Sequence, residues 1–195
     1  MCDGTEIVLP PALAFRTMTE VHPAFPPALA FRTMTEVHPA FPPGFRTMQR
    51  TLILLKPDAV QRHLVGEIVA RFERKGLRLV ALKLVQASRE LAEAHYAVHK
   101  GKQFYDSLLN FLTSGPTVAL VWEGREAVAV CRNLMGLTDG AKSPPGTIRG
   151  DFGISVQNNL VHGSDSPENA AIEIALWFKN EELVTFTHAD ATWAG

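Results

Sequence analysis

TLILLKPDAVQRHLVGEIVARFERKG, residues 51–76, contains the strand-then-helix pattern from which the fold of this chain can be worked out. Residues 51–55 form a short apolar and partly β-branched run, and the Lys-Pro-Asp that follows stops it, so the pattern predicts a strand. From Val65 to Phe72, apolar residues recur at i, i+3, i+4 and i+7, which is the stripe of an amphipathic helix. Gly76 is a natural end for that helix.

The chain continues to alternate between strand and helix signals after Gly76. Further strands are predicted at residues 77–85, 117–122 and 159–162, and further helices at 88–95, 103–112, 127–134 and from Ser166 onward. The order β-α-β-β-α-β, with extra helices, is typical of the ferredoxin-like split βαβ fold. We therefore predict an α+β domain over residues 50–195, in which helices cover one face of a four-stranded antiparallel sheet. The buried stripe of the last helix is predicted to be Ala171, Ile174, Ala175 and Phe178.

The first 49 residues differ in character from this domain. Residues 10–25, PPALAFRTMTEVHPAF, recur identically as residues 26–41, and a truncated copy, PPGFRTMQ, follows. Their prolines remove backbone donors and interrupt helix and strand alike. We predict that residues 1–49 are a disordered, low-complexity tail with a tandem 16-residue repeat, and a proline-rich docking ligand is the alternative.

Composition limits the partners that the chain can have. The 195 residues carry a net charge of −1, so no basic field is available for strong nucleic-acid binding. No apolar run approaches the ~20 residues that a membrane helix needs. Two cysteines, Cys2 and Cys131, are too few for a disulfide framework. These observations favour a cytoplasmic protein with no membrane partner, in which a few local cations hold any anionic ligand.

The residues best suited to chemistry lie in NLVHGSDS, residues 159–166. His162 ends an apolar strand, and we expect the following glycine to leave its imidazole open on one side. Ser164 and Asp165 are placed to orient neighbouring groups. A neutral imidazole is a competent nucleophile near physiological pH, and its N–P bond is labile enough to pass a phosphoryl group on. On spacing alone, a histidine that only hydrogen-bonds to the backbone is the commoner interpretation.

Phosphate would have to be held without a G-x-x-x-x-G-K-[ST] loop, which this sequence lacks. Lys56 stands at a strand end, Arg132 beside a helix stripe, and Arg149 in the Gly- and Pro-rich stretch 136–150. Isolated cations are usually solvated surface charges. Positions at element ends and in a long loop favour ligand binding instead, and arginine suits phosphate because its N–H groups donate in pairs.

Two further histidines have the spacing of metal ligands. His95 and His99 are four residues apart on a predicted helix. No glutamate follows His95 in the H-E-x-x-H manner, and no third ligand is evident in the sequence. We therefore predict that both are surface histidines.

Several blocks of the sequence together resemble the nucleoside diphosphate kinase family over residues 50–187. They are KPDAVQR (56–62), LVGEI (64–68), RFERKG (71–76), SGP (114–116), PGTIRGDF (145–152) and NLVHGSDS (159–166). The His-Gly-Ser-Asp motif with its upstream asparagine is the signature of that family. The resemblance implies an enzyme that transfers the γ-phosphoryl group of a nucleoside triphosphate, typically ATP, to a nucleoside diphosphate. It further implies a phosphohistidine on His162, ping-pong kinetics and broad base specificity.

The resemblance also implies catalytic roles for individual residues. His162 is the nucleophile through Nδ1, Glu173 holds its other ring nitrogen, and Ser164 supports Glu173. Tyr96 lies beside the transferring phosphoryl group, and Lys56, together with Asn159, hydrogen-bonds the ribose and bridging oxygens.

A nucleotide-binding set follows from the same resemblance. It comprises Lys56, Phe104, Leu108, Arg132, Thr138, Arg149, Val156 and Asn159. Phe104 stacks on the base, Leu108 and Val156 close that slot, and the polar members hold ribose and phosphates. Because every base has a π-face, stacking is compatible with both purines and pyrimidines.

Relatives in this family use Mg²⁺ and assemble as hexamers or tetramers. The resemblance therefore implies a homo-oligomer that needs Mg²⁺, with the ion held mainly through the nucleotide phosphates and no metal ligand from the chain. Val98 replaces a frequent acidic residue near those phosphates. Gly140 replaces the usual proline of a loop that makes subunit contacts, and we expect a weaker assembly as a result.

Two other functions are compatible with these motifs. One is a catalytically silent homologue that acts as a binding or regulatory protein, although every residue proposed for the chemistry is retained. The other is transfer of the phosphoryl group to a protein histidine as a side activity. It shares the first half-reaction and differs only in the acceptor.

Overall fold

The chain was analysed as a computed structural model, which describes residues 48–186 and 189. Its sheet has the strand order β2-β3-β1-β4, and all neighbouring strands run antiparallel. The strands are β1 (Met48–Leu55), β2 (Arg78–Gln86), β3 (Pro116–Arg125) and β4 (Val161–Gly163). The prediction of an α+β, ferredoxin-like fold with a four-stranded antiparallel sheet is confirmed.

Helices connect these strands in the predicted order. The α-helices of the described residues are α1 (Pro57–Gln61), α2 (Val65–Arg74), α3 (Arg89–His95), α4 (Tyr105–Thr113), α5 (Ala127–Met135), α6 (Ile148–Phe152) and α7 (Pro167–Trp177). Short 3₁₀ turns occupy Ala97–His99, Gly140–Lys142 and Asn180–Glu182. Within the described part of the chain, no helix has both the length and the apolar character that crossing a bilayer requires.

The start of β1 lies close to the proposed boundary between tail and domain. β1 begins at Met48, which pairs with Arg125, and Gln49 pairs with Gly124. The tail predicted over residues 1–49 includes these two residues. The rest of the predicted disordered tail, residues 1–47, lies outside the described residues.

Helices cover both faces of the sheet, and not one face as the basic pattern predicts. Ile53 and Leu55 of β1 point into one core, which α2 and α5 close, whereas Leu52 and Leu54 point into a second core. The second core is closed by α3, α4 and α7, whose residues contribute to it directly. A strand buried on both faces reads as a continuous apolar run, which explains the run TLILL.

The buried face of α7 differs from the predicted stripe. Ile174 and Phe178 are buried as predicted, but Ala171 and Ala175 are exposed, and Ala170 and Trp177 take their places in the core. Ala171 and Ala175 instead line a surface cavity of about 580 Å³. The predicted stripe combined two residues of the buried face with two alanines that lie on the exposed side. Because alanine occurs on either side of a helix, the residue types alone could not distinguish the two faces.

Close backbone packing explains the glycine at position 140. Gly140 is buried, and a Cβ atom there would lie 2.6 Å from the carbonyl oxygen of Gly153, at the end of α6. Backbone atoms cannot move aside as the tip of a flexible side chain can. The absence of a side chain at Gly140 therefore lets the 3₁₀ turn at 140–142 pack against α6.

We expect Gly140→Ala to lower the free energy of unfolding by about 1–3 kcal/mol, because the new methyl group overpacks this contact. Urea unfolding followed by circular dichroism measures the change. Gly66→Ala is the matched control, since a Cβ at Gly66 in α2 meets no atom within 4 Å. That control should be neutral or more stable by up to ~1 kcal/mol. Equal losses in both variants would contradict the packing explanation.

Candidate active site

A corner between the end of β1 and the start of α1 holds the chain just before His162. The backbone N–H of Lys56 donates to the carbonyl of Leu160 at 2.8 Å, and the backbone N–H of Leu160 donates to Asp58 Oδ2 at 3.0 Å. Leu160 is fully buried and has φ = +68°, a left-handed conformation that leucine rarely adopts. The two hydrogen bonds and the burial stabilise this turn, which brings His162 into β4.

His162 and Glu173 form a hydrogen-bonded pair between β4 and α7. His162 Nε2 lies 3.0 Å from Glu173 Oε1, and the Ser164 hydroxyl donates to Glu173 Oε2 at 2.6 Å. The backbone N–H of Leu52 donates to the Ser164 oxygen at 3.2 Å, which leaves the hydroxyl hydrogen for Glu173. Because a carboxylate only accepts, Nε2 carries the imidazole proton and the lone pair is on Nδ1. His162 is thus held in the tautomer that makes Nδ1 nucleophilic.

The residues that follow His162 serve the fold more than the expected opening of the site. A Cβ at Gly163 would lie 2.7 Å from Met135 Sδ and 2.9 Å from Ile53 Cδ1, so the glycine lets β4 pack closely against these two core side chains. Asp165 accepts from Asn169 Nδ2 at 2.6 Å and so braces the first turn of α7. The His162 side chain nevertheless keeps 23% of its surface exposed, which leaves it reachable.

Lys56 lies at the end of β1 as a buried cation with a neutral partner. Its Nζ donates to Asn159 Oδ1 at 2.6 Å, and Asn159 Nδ2 donates to the carbonyl of Thr138 at 3.0 Å. Burial, and secondly the charge of Arg149, lower the pKa of Lys56 to about 8. Asn159 uses one of the three ammonium N–H groups. The arrangement favours an anion as a further partner.

Arg149, in α6, is buried and ties the preceding loop to the start of β4. Its guanidinium donates to three carbonyls: Asn159 at 3.1 Å, Gly136 at 3.1 Å and Val161 at 2.6 Å. Burial, and secondly the charge of Arg132, lower its pKa to about 10. These bonds use three of its five N–H groups. Arg149 therefore holds the backbone at three points and has two further N–H groups outside these bonds.

The other two members of the predicted phosphate-binding set lie at the surface. Arg132 is exposed in α5, and its Nη1 donates to the carbonyl of Gly163 at 3.3 Å. Thr138 is exposed in the loop after α5, and its carbonyl accepts from Asn159. Arg132 and Thr138 therefore stand on the outer side of the buried cations.

His95 and Tyr96 stand at the end of α3, beside His162. The ring centroids of His95 and Tyr96 lie 4.4 Å and 6.4 Å from that of His162. The prediction that His95 is a surface histidine is wrong, since only 7% of it is exposed, whereas His99 is half-buried and stacks on Tyr96. Burial, and secondly Glu173, raise the pKa of Tyr96 to about 12, so its phenol is a hydrogen-bond donor at neutral pH.

The sequence analysis missed His95, Trp177 and Asp58 as parts of this site. Leu91, Ala92, His95 and Tyr96 recur with the spacing of one helix face, and this signal would have placed His95 on the buried side. Trp177 donates to His95 from 82 positions away, and Asp58 accepts from Leu160 across 102 positions. No local pattern indicates such long-range partners.

The three apolar residues predicted to bind a base lie on the outer part of the site. Phe104 is 48% exposed at the start of α4, Val156 is 58% exposed, and Leu108 is half-buried. Gln157 Nε2 donates to Ser107 Oγ at 2.8 Å, which joins the segment after α6 to α4. Gln157 is next to Val156 in the chain and Ser107 is next to Leu108, so the segment after α6 and helix α4 face one another.

Metal-ligating side chains converge at one place in the described part of the chain. One nitrogen each of His95 and His162 and one oxygen of Glu173 lie within 4.8 Å of one another. Mg²⁺ prefers a set of oxygen ligands, which this nitrogen-rich group does not provide. This group of three side chains is therefore poorly suited to magnesium.

Comparison with known proteins indicates one family. Residues 49–183 match the sequence model of the family described as nucleoside diphosphate kinase. A nucleoside diphosphate kinase of Carboxydothermus hydrogenoformans is 61% identical over 146 residues, which are 75% of this chain and 98% of that protein. A nucleoside diphosphate kinase of a Synechococcus strain is 57% identical over the same share of both chains.

Solved structures give the same result. A halophilic nucleoside diphosphate kinase from Halobacterium salinarum, solved in complex with CDP, has a TM-score of 0.74 and 46% identity, and the match covers 76% of this chain and 99% of that one. A nucleoside diphosphate kinase family protein from Babesia bovis also has a TM-score of 0.74, with 48% identity over 75% of this chain and 99% of its own. The chain therefore belongs to the nucleoside diphosphate kinase family.

Proposed function

We propose that His162 carries a phosphoryl group from one nucleotide to another in two steps. In the first step, the Nδ1 lone pair attacks the γ-phosphorus of a nucleoside triphosphate. An N–P bond forms, the bond to the bridging oxygen breaks, and a nucleoside diphosphate leaves. In the second step, a β-phosphate oxygen of another nucleoside diphosphate attacks the same phosphorus and the N–P bond breaks. One site serves both steps, so the kinetics are ping-pong.

The hydrogen bond between His162 Nε2 and Glu173 Oε1 is the observation that carries this proposal. It places the proton on Nε2 and the lone pair on Nδ1 before substrate arrives. The imidazolium-like charge that develops on phosphorylation is stabilised by the same carboxylate. Ser164 holds Glu173 in place, because its hydroxyl donates to the second carboxylate oxygen.

The proposed clamp for ribose and phosphates combines buried and exposed donors. It consists of Lys56, Asn159, Thr138, Arg132 and Arg149, with Tyr96 as a donor beside the transferring group. The buried cations are pre-oriented by their bonds to Asn159 and to backbone carbonyls, so they need little reorganisation when phosphate arrives. Phosphoryl transfer depends chiefly on such positioning and neutralisation of charge.

The proposed base site is the open slot at Phe104, Leu108 and Val156. Its half-exposed ring offers stacking, which tolerates any base. The Halobacterium relative, solved with CDP, supports binding of a nucleoside diphosphate by this chain. Broad base specificity follows if the polar contacts are made to ribose and phosphates alone.

Mg²⁺ is proposed to enter with the nucleotide, bound to its phosphate oxygens, where it neutralises charge. We place the enzyme in the cytoplasm, which agrees with the buried free thiol of Cys131.

We also expect a homo-oligomer, hexamer or tetramer. The exposed edge strand β2, with Leu82 and Leu84 51% and 63% exposed, favours self-association.

The direct test is the intact mass of the protein after incubation with Mg·ATP in the absence of an acceptor. We expect the gain of one acid-labile phosphoryl group, which added GDP removes. His162→Ala should gain none while keeping its circular dichroism spectrum. A folded wild-type protein without an adduct would indicate the silent homologue instead.

We expect Glu173→Gln to lower kcat by about 10²-fold or more, through a change of tautomer. The Ser164 hydroxyl donates to this side chain, so the amide oxygen should face Ser164 and the amide N–H should face His162. Nε2 would then accept, and the proton would move to Nδ1. Steady-state kinetics measures the loss, with Glu168→Gln in the first turn of α7 as the control. Equal kcat in both variants would contradict the role of Glu173.

The lowered pKa of Lys56, about 8, predicts a fall of kcat/KM at alkaline pH. Below pH 8 the free enzyme carries the ammonium that attracts phosphate, and above it the neutral amine predominates. Since kcat/KM reports the free enzyme, its alkaline limb should have a midpoint near pH 8. Lys56→Met should lose this limb along with much of the activity, whereas the exposed control Lys75→Met should retain both. A wild-type profile that is flat to pH 10 would exclude this role.

A further inference from the structure

His95 presents a buried polar atom that the proposed function does not yet use. The side chain lies at the end of α3 and only 7% of it is exposed. Its Nε2 has no hydrogen-bond partner among the described residues. A buried donor or acceptor without a partner costs free energy, so such a group in a native protein calls for an explanation.

The hydrogen bond from Trp177 determines which tautomer His95 adopts. Trp177 Nε1 lies 3.3 Å from His95 Nδ1. An indole N–H can only donate, so Nδ1 must be the acceptor and the proton of the neutral ring is on Nε2. The unpartnered atom is therefore an N–H donor.

This donor belongs to the cluster around His162. The two imidazole rings lie nearly perpendicular, at 81°, with centroids 4.4 Å apart. Glu173 accepts from His162 at 3.0 Å and from Ser164 at 2.6 Å, and His95 Nε2 forms no hydrogen bond with it. A phosphoryl group carried on His162 Nδ1 would bring new hydrogen-bond acceptors, its oxygens, into this cluster.

A metal ion explains the cluster less well than an anion does. His95, His162 and Glu173 have the composition of a transition-metal site. To bind a metal, His95 Nε2 would have to lose its proton while Nδ1 still accepts from Trp177, which requires an anionic imidazolate. Burial is the main cause that lowers the pKa of His95, and the neighbouring His162, Lys56 and His99 act in the same direction, so the ring is neutral and not cationic either. The group is a neutral donor.

We propose that the Nε2–H of His95 donates a hydrogen bond to an oxygen of the phosphoryl group carried by His162. This inference rests on the proposed phosphohistidine. No bond to His95 forms or breaks, so its contribution is to orient the phosphoryl group between the two half-reactions. Trp177 acts through His95 as a positioning residue, because its N–H keeps the His95 proton on Nε2.

The test compares phosphoenzymes of His95 variants. His95→Phe should still be phosphorylated by Mg·ATP, but hydrolysis of its phosphohistidine without acceptor and kcat should each change by about tenfold or more, with KM changed by less. A hydrogen bond to a charged group has an effect of this size. The ³¹P resonance of the phosphohistidine should shift. His95→Gln, which restores an N–H donor of similar reach, should recover most of the wild-type values.

A measurement on the wild-type protein removes any dependence on the folding of these variants. In ¹⁵N-labelled enzyme, the His95 Nε2–H proton should move downfield when His162 is phosphorylated. In Trp177→Phe, which retains an aromatic ring but no indole N–H, that proton should lose its single environment as the tautomers mix.

Several outcomes would overturn the inference. The hydrogen bond would be excluded if the ³¹P shift and the hydrolysis rate of the phosphoenzyme did not respond to the His95 variants and the His95 proton did not respond to phosphorylation. The proposed function would then remain intact. Stoichiometric Zn²⁺ binding to wild type that His95→Phe abolishes would establish a metal site instead. Failure of wild type to form any phosphoenzyme would remove both proposals together.

Discussion

The turn at Leu160 is the constraint on which the rest of the site depends. A leucine in the left-handed region is strained, by about 1–3 kcal/mol, and persists only where its surroundings hold it. Here the backbone of Lys56 and the carboxylate of Asp58 hold it from both sides, and the core buries its side chain. The turn brings Asn159 to Lys56 and sets His162 into β4 opposite Leu54. One corner thus positions the proposed nucleophile, His162, and the buried cation, Lys56, together.

The proposed site would have to hold negative charge without help from the overall charge of the chain. With a net charge of −1, attraction must come from a few oriented cations. Lys56 and Arg149 are buried, and desolvation, the first cause in each case, lowers both pKa values. Their hydrogen bonds go to a neutral amide and to carbonyls, and the carboxylate of Asp58, which raises the pKa of Lys56, is a smaller influence than burial. Burying these charges costs free energy, which a bound anion would offset.

Particular residues show how far the sequence could predict this arrangement. The apolar run at 51–55 and the stripe from Val65 to Phe72 predicted β1 and α2, because local periodicity reports which side of an element is buried. The stripe of α7 was partly wrong, since alanine fits either side. His95 was assigned to the surface, because a polar residue is buried only if it finds a partner, and Trp177 is remote in sequence. The dyad with Glu173 came from family resemblance and not from spacing.

By itself, the sequence determined the strand and helix order, the family and the identity of the candidate nucleophile, because these depend on periodicity and on contiguous motifs. Tertiary structure decided which nitrogen of His162 is free, which donor His95 presents and how far burial shifts the pKa of Lys56. Each of these is set by a hydrogen-bond partner or a depth of burial contributed by another element. A tautomer and a pKa are properties of surroundings, and the surroundings exist only once distant segments have packed together.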